Sequence, residues 1–164
     1  FQMMQYSDII FGDQNEWEVA SGVPHIPFEA LDENYEIDKE AYLEYFRKMH
    51  KLFPKCKKMV MAVRNQIASS HHTLSGLLYD SQEDKLYSTR IYDIQPIIDP
   101  MGVGDAFVAA YIHAHQKWGD ENQYCLDFSL SASAIKNTIP GDQNLVSEEE
   151  IIHNMTSSGG RIQR

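Results

Sequence analysis

The stretch Asp99–Ala114, DPMGVGDAFVAAYIHA, reads as a tight Gly-Val-Gly turn that opens directly into a helix headed by Asp105. An extended-looking apolar run, IQPII, stands before it and ends at Asp99 and Pro100. The following AFVAAYI is apolar on nearly every side, so the pattern predicts a helix buried in a layered domain. Two glycines just ahead of a helix let the backbone curl closely around a ligand. The free N–H groups of the first turn, together with the helix dipole, favour an anion there. The unusual residue is Asp105. It reads either as a helix cap or as a base held beside an anion hole.

Upstream, Ser7–Phe11 (SDIIF) has the length and composition of a short buried strand. Asn15 starts a short helical stretch, NEWEVAS, ended near Gly22, and residues 22–37 carry Pro24 and Pro27 and read as a loop. Asp38 is the expected N-cap of a helix to about Phe53, in which Tyr42, Phe46, Met49 and Phe53 recur on one face. The cluster Lys55, Lys57 and Lys58 then reads as a solvated connection, and Met59–Val63 (MVMAV) as a second buried strand. Strand, helix, strand in this order predicts a parallel crossover.

A hairpin is expected from Leu74–Asp80 and Lys85–Tyr92. Beyond the opening stretch, a Ser/Ala-rich helix is expected over Glu121–Lys136, able to approach a neighbouring layer or a ligand closely. Ser147 and the three glutamates after it form a capping-box-like start to a last helix, Glu148 to about Met155. The tail SSGGRIQR reads as mobile. The pattern is α/β: one domain of three layers, with helices on both faces of a mainly parallel sheet.

The chain of 164 residues has 24 acidic and 14 basic side chains, a formal net charge of −10. That balance argues against wholesale binding to nucleic acid or an anionic membrane, while leaving room for a local phosphate pocket. No apolar run approaches a membrane span. Cys56 and Cys125 have no metal-ligand spacing and read as reduced structural thiols of a cytoplasmic protein. His71 and His72 would point to opposite faces of a strand, and His113 and His115 diverge on their helix, so a metal centre is not expected. There is no Walker A sequence, no GxGxxG and no nucleophile elbow.

Ligands of open parallel sheets bind beyond the carboxyl ends of the strands. Three polar features fall there: Asn15 and Glu18 after the first strand, Arg64 after the second, and the Gly-Val-Gly-Asp turn after the third extended run. Each alone has an ordinary structural explanation. Convergence at one edge favours Asp105 as a base over Asp105 as a cap.

These segments resemble the PfkB/ribokinase family of sugar kinases. DPMGVGDAFVAAYIHA is similar to the family's D-x-x-G-x-G-D-x-F signature, and Asn15-Glu16-Trp17-Glu18 to its Asn-x-x-Glu motif. MAVRNQIASSHHTLSGLLYD, LSASAIKNTIPGDQNLVSEEEI and the closing GGRIQR resemble the C-terminal part of the 2-dehydro-3-deoxygluconate kinases of that family. Pro100, Met101, Val103 and Asn137 depart from the usual residues at their positions.

The resemblance implies a ribokinase-like fold and ATP-dependent phosphorylation of a sugar hydroxyl. The acceptor would be 2-dehydro-3-deoxygluconate or, as the alternative, a fructose-like sugar or a nucleoside; a non-catalytic nucleotide-binding relative is the rival from another class. It implies Asp105 as the base, and the N–H groups of Gly102, Val103, Gly104 and Asp105 as the anion hole, with Arg64 near the ATP phosphates. Asn15 and Glu18 would order Mg2+ and its waters, Asp99 would support a monovalent cation, and adenine would sit near Ser131–Ile139 and the IPGD turn, Ile139–Asp142. Family members are about twice as long. The chain is therefore expected to be the ATP-binding half, without the sugar-binding and lid half that also forms the dimer contact in many members, and to turn over sugar poorly by itself.

Overall fold

A computed structural model describes residues 1–27 and 36–157. The expected mobile tail at 158–164 and most of the expected loop at 28–35 lie outside the described residues. The described residues form two compact units: 1–27, 36–61 and 77–87 in the first, 62–76 and 88–157 in the second. The elements are β1 (Ile9–Phe11), α1 (Gln14–Ser21), α2 (Lys39–Leu52), β2 (Lys58–Ala68), β3 (His71–Asp80), β4 (Lys85–Ser88), β5 (Tyr92–Ile94), α3 (Val103–Trp118), α4 (Asn122–Lys136) and α5 (Glu148–Thr156). The strands form one mixed sheet in the order β1-β2-β3-β4, with β5 also paired to β3.

In the first unit, β1 pairs in parallel with β2, Ile10 opposite Met59, as a helical crossover requires. The cap of α1 is Asp13, one residue ahead of the helix. Its carboxylate accepts from Glu16 N at 2.8 Å while the Glu16 carboxylate accepts from Asp13 N at 2.9 Å, a complete capping box. Asp38 caps α2 by accepting from Ala41 N at 3.0 Å. The apolar face of α2 buries Tyr42, Tyr45, Phe46 and Met49. Phe46 stacks on Tyr79 with ring centroids 5.8 Å apart and meets Trp17 edge-on at 5.6 Å. The lysine cluster is less solvated than its composition suggests. Lys58 is buried at the start of β2, Lys57 pairs with Asp8 at 2.8 Å, and Lys55 lies over the Tyr6 ring.

In the second unit, β5 runs antiparallel to β3, with His72 opposite Ile94. The expected second hairpin strand is thus two short strands, β4 and β5. The IQPII run is not a strand beyond Ile94; residues 95–101 form a connection whose Ile97 N donates to Ser70 O and Ile98 N to Asn137 O. Helix α3 is buried on one face only, through Ala106, Phe107, Ala110, Tyr111 and Ala114, while Ile112 is 47% exposed. Apolar composition concealed that sidedness, because alanines tolerate either environment.

The Ser/Ala helix α4 explains the close contact. Ser129 Oγ donates to Phe107 O at 2.5 Å and Ser133 Oγ to Val103 O at 3.1 Å, one turn apart on both helices. Small side chains bring α4 near enough for its hydroxyls to reach the α3 backbone. On its other side Ser131 Oγ donates to Ile151 O of α5. Ser147 and Glu150 form the expected capping box at the start of α5. Both cysteines are buried and neither forms a disulfide among the described residues, and burial pushes the Cys56 thiol up to about 11. Among the described residues, no helix is long and apolar enough to cross a membrane.

The aromatic cluster of the first unit sets a testable cost. Phe46→Ala removes a fully buried ring that three aromatic neighbours hold in place. It should lower unfolding free energy by about 3–5 kcal/mol in urea titrations; a loss within about 0.5 kcal/mol would show that the cluster contributes little.

Candidate active site

Helix α3 starts on Gly102, whose backbone is left-handed at φ 75°. A Cβ there would also overlap the Asp142 carbonyl oxygen, so glycine is required both by conformation and by space. The first intrahelical bond is Ala106 N to Gly102 O, at 2.9 Å. The amides of Val103, Gly104 and Asp105 therefore precede the helical ladder and have no acceptor within it. Gly104 faces open space, where an added Cβ would meet nothing within 4 Å. Its missing side chain leaves those amides approachable.

Asp105 is the third residue of the helix and is exposed. No side-chain cap bond is made at this N-terminus. The N-cap is Gly102, so Asp105 is not the cap; it is the acidic residue of the first helical turn.

The turn is held from behind by Asp99. Its Oδ1 accepts from Met101 N at 2.9 Å and its Oδ2 from Gly141 N at 2.8 Å. Asp99 N and Ile98 N both donate to Asn137 O, at 3.2 and 2.8 Å. These bonds lash residues 98–101 to residues 137–141. The Met101 and Gly141 N–H groups hold the Asp99 carboxyl below its ordinary value.

Beside this turn a mainly apolar cleft of about 270 Å³ runs along α3. Ala106 and Ala110 form one wall, Phe128 and Ala132 of α4 the other, and Val146 and Asn144 an end. Glu148 lies at its edge, accepting from Lys117 Nζ at 2.5 Å and paired with His113 at 2.8 Å. Lys117 first, then His113, holds its carboxyl below the usual range. The cleft's lining is mainly apolar with a few polar side chains, the general character of a small-molecule site. Its trace in the sequence was the alanine spacing, which is equally consistent with plain helix packing.

The remaining expected residues are placed as follows. Arg64 does not follow the second strand. It lies within β2, which runs on to Ala68 because RNQIA alternates exposed and buried positions, and Arg64 is exposed. The continuous apolar run ends at Val63, which is why the strand seemed to stop there. Asn15 and Glu18 lie on α1 in the first unit, with Asn15 exposed. Glu18 is paired with His25 and accepts from His25 N at 3.2 Å, contacts that keep its carboxyl below the usual range. The second unit brings together Asp99, Gly102, Val103, Gly104 and Asp105. His71 is paired with Asp93 at 2.6 Å. Among the described residues no group of three His, Cys, Asp or Glu side chains could hold a metal ion.

No protein-family model matches the sequence, and no curated protein sequence does. Solved structures do match. The 2-dehydro-3-deoxygluconokinase of Thermotoga maritima is similar at 25% identity and a TM-score of 0.80, over 95% of this chain and 43% of that one. A PfkB family carbohydrate kinase from Listeria grayi is similar at 25% identity and a TM-score of 0.76, with the same coverage. The ribokinase of Arabidopsis thaliana, solved with ribose and ATP, shares the fold at 18% identity and a TM-score of 0.62, over 96% of this chain and 43% of that one. The chain has the ribokinase-like α/β fold, resembles PfkB carbohydrate kinases, and spans less than half the length of these structures.

The Asp99 bridge makes a pH prediction. Its folded-state carboxyl is lowered, so its contribution is present above the unfolded value of about 3.9 and is lost as pH falls through the folded one. The stability difference between wild type and Asp99→Asn should be clear near neutral pH and shrink toward about pH 3 in urea unfolding series. A difference that grows on acidification would contradict the bridge.

Proposed function

We propose that the chain is the ATP-binding part of a PfkB-type carbohydrate kinase that phosphorylates 2-dehydro-3-deoxygluconate to its 6-phosphate. The observation that carries this reading is the unpaired Asp105 carboxylate on the first turn of α3, beside amides that no helical carbonyl engages. Phosphoryl transfer needs a positioned base and neutralisation of charge more than covalent chemistry. The turn supplies both on one rigid helix end.

In this reading Asp105 accepts the proton of the sugar hydroxyl as it attacks. The N–H groups of Gly102, Val103, Gly104 and Asp105 stabilise the charge on the transferred group. The cleft along Ala106, Ala110, Phe128 and Ala132 takes the adenine, within the reach of a nucleoside triphosphate from the turn. Bound Mg2+ would neutralise the phosphate oxygens. Asn15 and Glu18 are assigned to its water shell; both His25 contacts to Glu18 use Oε2, leaving Oε1 for a water. Arg64, exposed on β2, is assigned to the phosphates as a screening charge. The choice of 2-dehydro-3-deoxygluconate rests on the likeness to the Thermotoga maritima enzyme and on the quoted C-terminal segments.

In the full-length enzyme, Asp105→Asn should lower kcat by about 10²–10⁴-fold, the usual worth of a general base, while ATP affinity stays within about threefold. Coupled kinase assays and calorimetric ATP titration read the two effects. Unchanged turnover would dispose of the base assignment. A panel of 2-dehydro-3-deoxygluconate, fructose and a nucleoside reads the acceptor, and preference for either of the latter two would replace it.

A further inference from the structure

Lys136, the last residue of α4, is 0% exposed. In sequence it reads as an ordinary solvated lysine at a helix C-terminus. In the structure its Nζ donates to Ile139 O at 3.0 Å and, at a longer 3.4 Å, to Asp99 O. An ammonium is all donor and carries a full charge, so burying it is costly unless the surroundings compensate. Here both oxygens that Nζ engages belong to neutral carbonyls. The Asp99 carboxylate, which its charge helps to keep ionised, is the nearby counter-charge.

The two carbonyls belong to the two segments that Asp99 lashes together, residues 98–101 and 137–141. Asp99 O lies three residues before the Gly102 cap of α3. One positive charge held between two backbone oxygens is what a bound monovalent cation would provide. The family resemblance implied such a cation at Asp99; the structure puts a covalently tethered one against that residue's carbonyl.

We infer that Lys136 is a positioning residue that serves as a built-in monovalent cation behind the anion-binding turn, fixing Asp99 and Ile139 carbonyls and adding positive potential beneath the amides of residues 103–105. The inference rests on the ATP-binding reading for its functional consequence. Binding of an anionic ligand at the turn should then need no added potassium.

The test is calorimetric titration of Mg-ATP into the chain at constant ionic strength, in potassium chloride, ammonium chloride and choline chloride. Wild type should bind equally in all three. Lys136→Ala should bind at least about tenfold more weakly in choline, and potassium or ammonium, entering the space left, should restore most of the loss. Lys136→Met, which refills the space with apolar atoms, should lose affinity without rescue. Potassium-dependent binding by wild type, or a Lys136→Ala variant that binds like wild type, would overturn the inference.

Thermal unfolding in the same salts separates the two readings. If wild type binds no ATP, the ATP-binding reading fails; potassium-specific stabilisation of Lys136→Ala, absent in wild type, would still support the tethered cation, and its absence would overturn it. If neither variant folds, the wild-type comparison of potassium with choline decides: equal melting temperatures and equal ATP affinities support the inference, and a gain in potassium overturns it.

Discussion

The Asp99 carboxylate is the constraint on which the candidate-site end of the second unit depends. One of its oxygens takes Met101 N and the other Gly141 N. A single side chain thus closes its own turn and ties that turn to the segment after α4. Gly102 is then forced against the Asp142 carbonyl, where only glycine fits, and α3 must begin at the next residue. The position of Asp105 follows from this chain of contacts. Two charge-assisted hydrogen bonds to backbone amides are stronger than neutral ones, so the turn is set before any ligand arrives.

The contact between α3 and α4 supports the same end from the side. Ser129 and Ser133 donate to carbonyls one turn apart on α3, a geometry that larger side chains on α4 would prevent. The small residues that permit this approach also leave the cleft along Ala106, Ala110 and Ala132. One composition therefore serves two purposes: it locks the helix that bears Asp105, and it leaves a mainly apolar cleft beside it. Preorganisation of this kind is where most of the charge stabilisation in phosphoryl transfer comes from.

Much of this was legible in the sequence, and for identifiable reasons. The helices were, because their boundaries are chemical: Asp38 and Ser147 cap where their spacing predicts, and Gly119 ends α3. The turn was in part: Gly102 precedes α3, whereas Gly104, expected in the turn, is the second residue of a helix that begins at Val103 rather than at Asp105. Strand limits were less so. β2 continues past Val63 through an alternating half-buried stretch, so Arg64 lies inside it. The role of Asp13 as the α1 cap and the engagement of Glu18 by His25 depend on local geometry that letters do not carry. Lys136 was the least legible. Nothing in a lysine at a helix end distinguishes an ammonium in water from one enclosed by carbonyls.

The central claim is that the first turn of α3 binds the phosphates of ATP. The most direct measurement is a ¹H–¹⁵N correlation spectrum of the chain titrated with Mg-ATP. Saturable shifts of the Val103, Gly104 and Asp105 amides are expected, accompanied by residues of the Ala106–Ala132 cleft. Saturable binding that leaves these amides unmoved, or shifts confined to other residues, would contradict it.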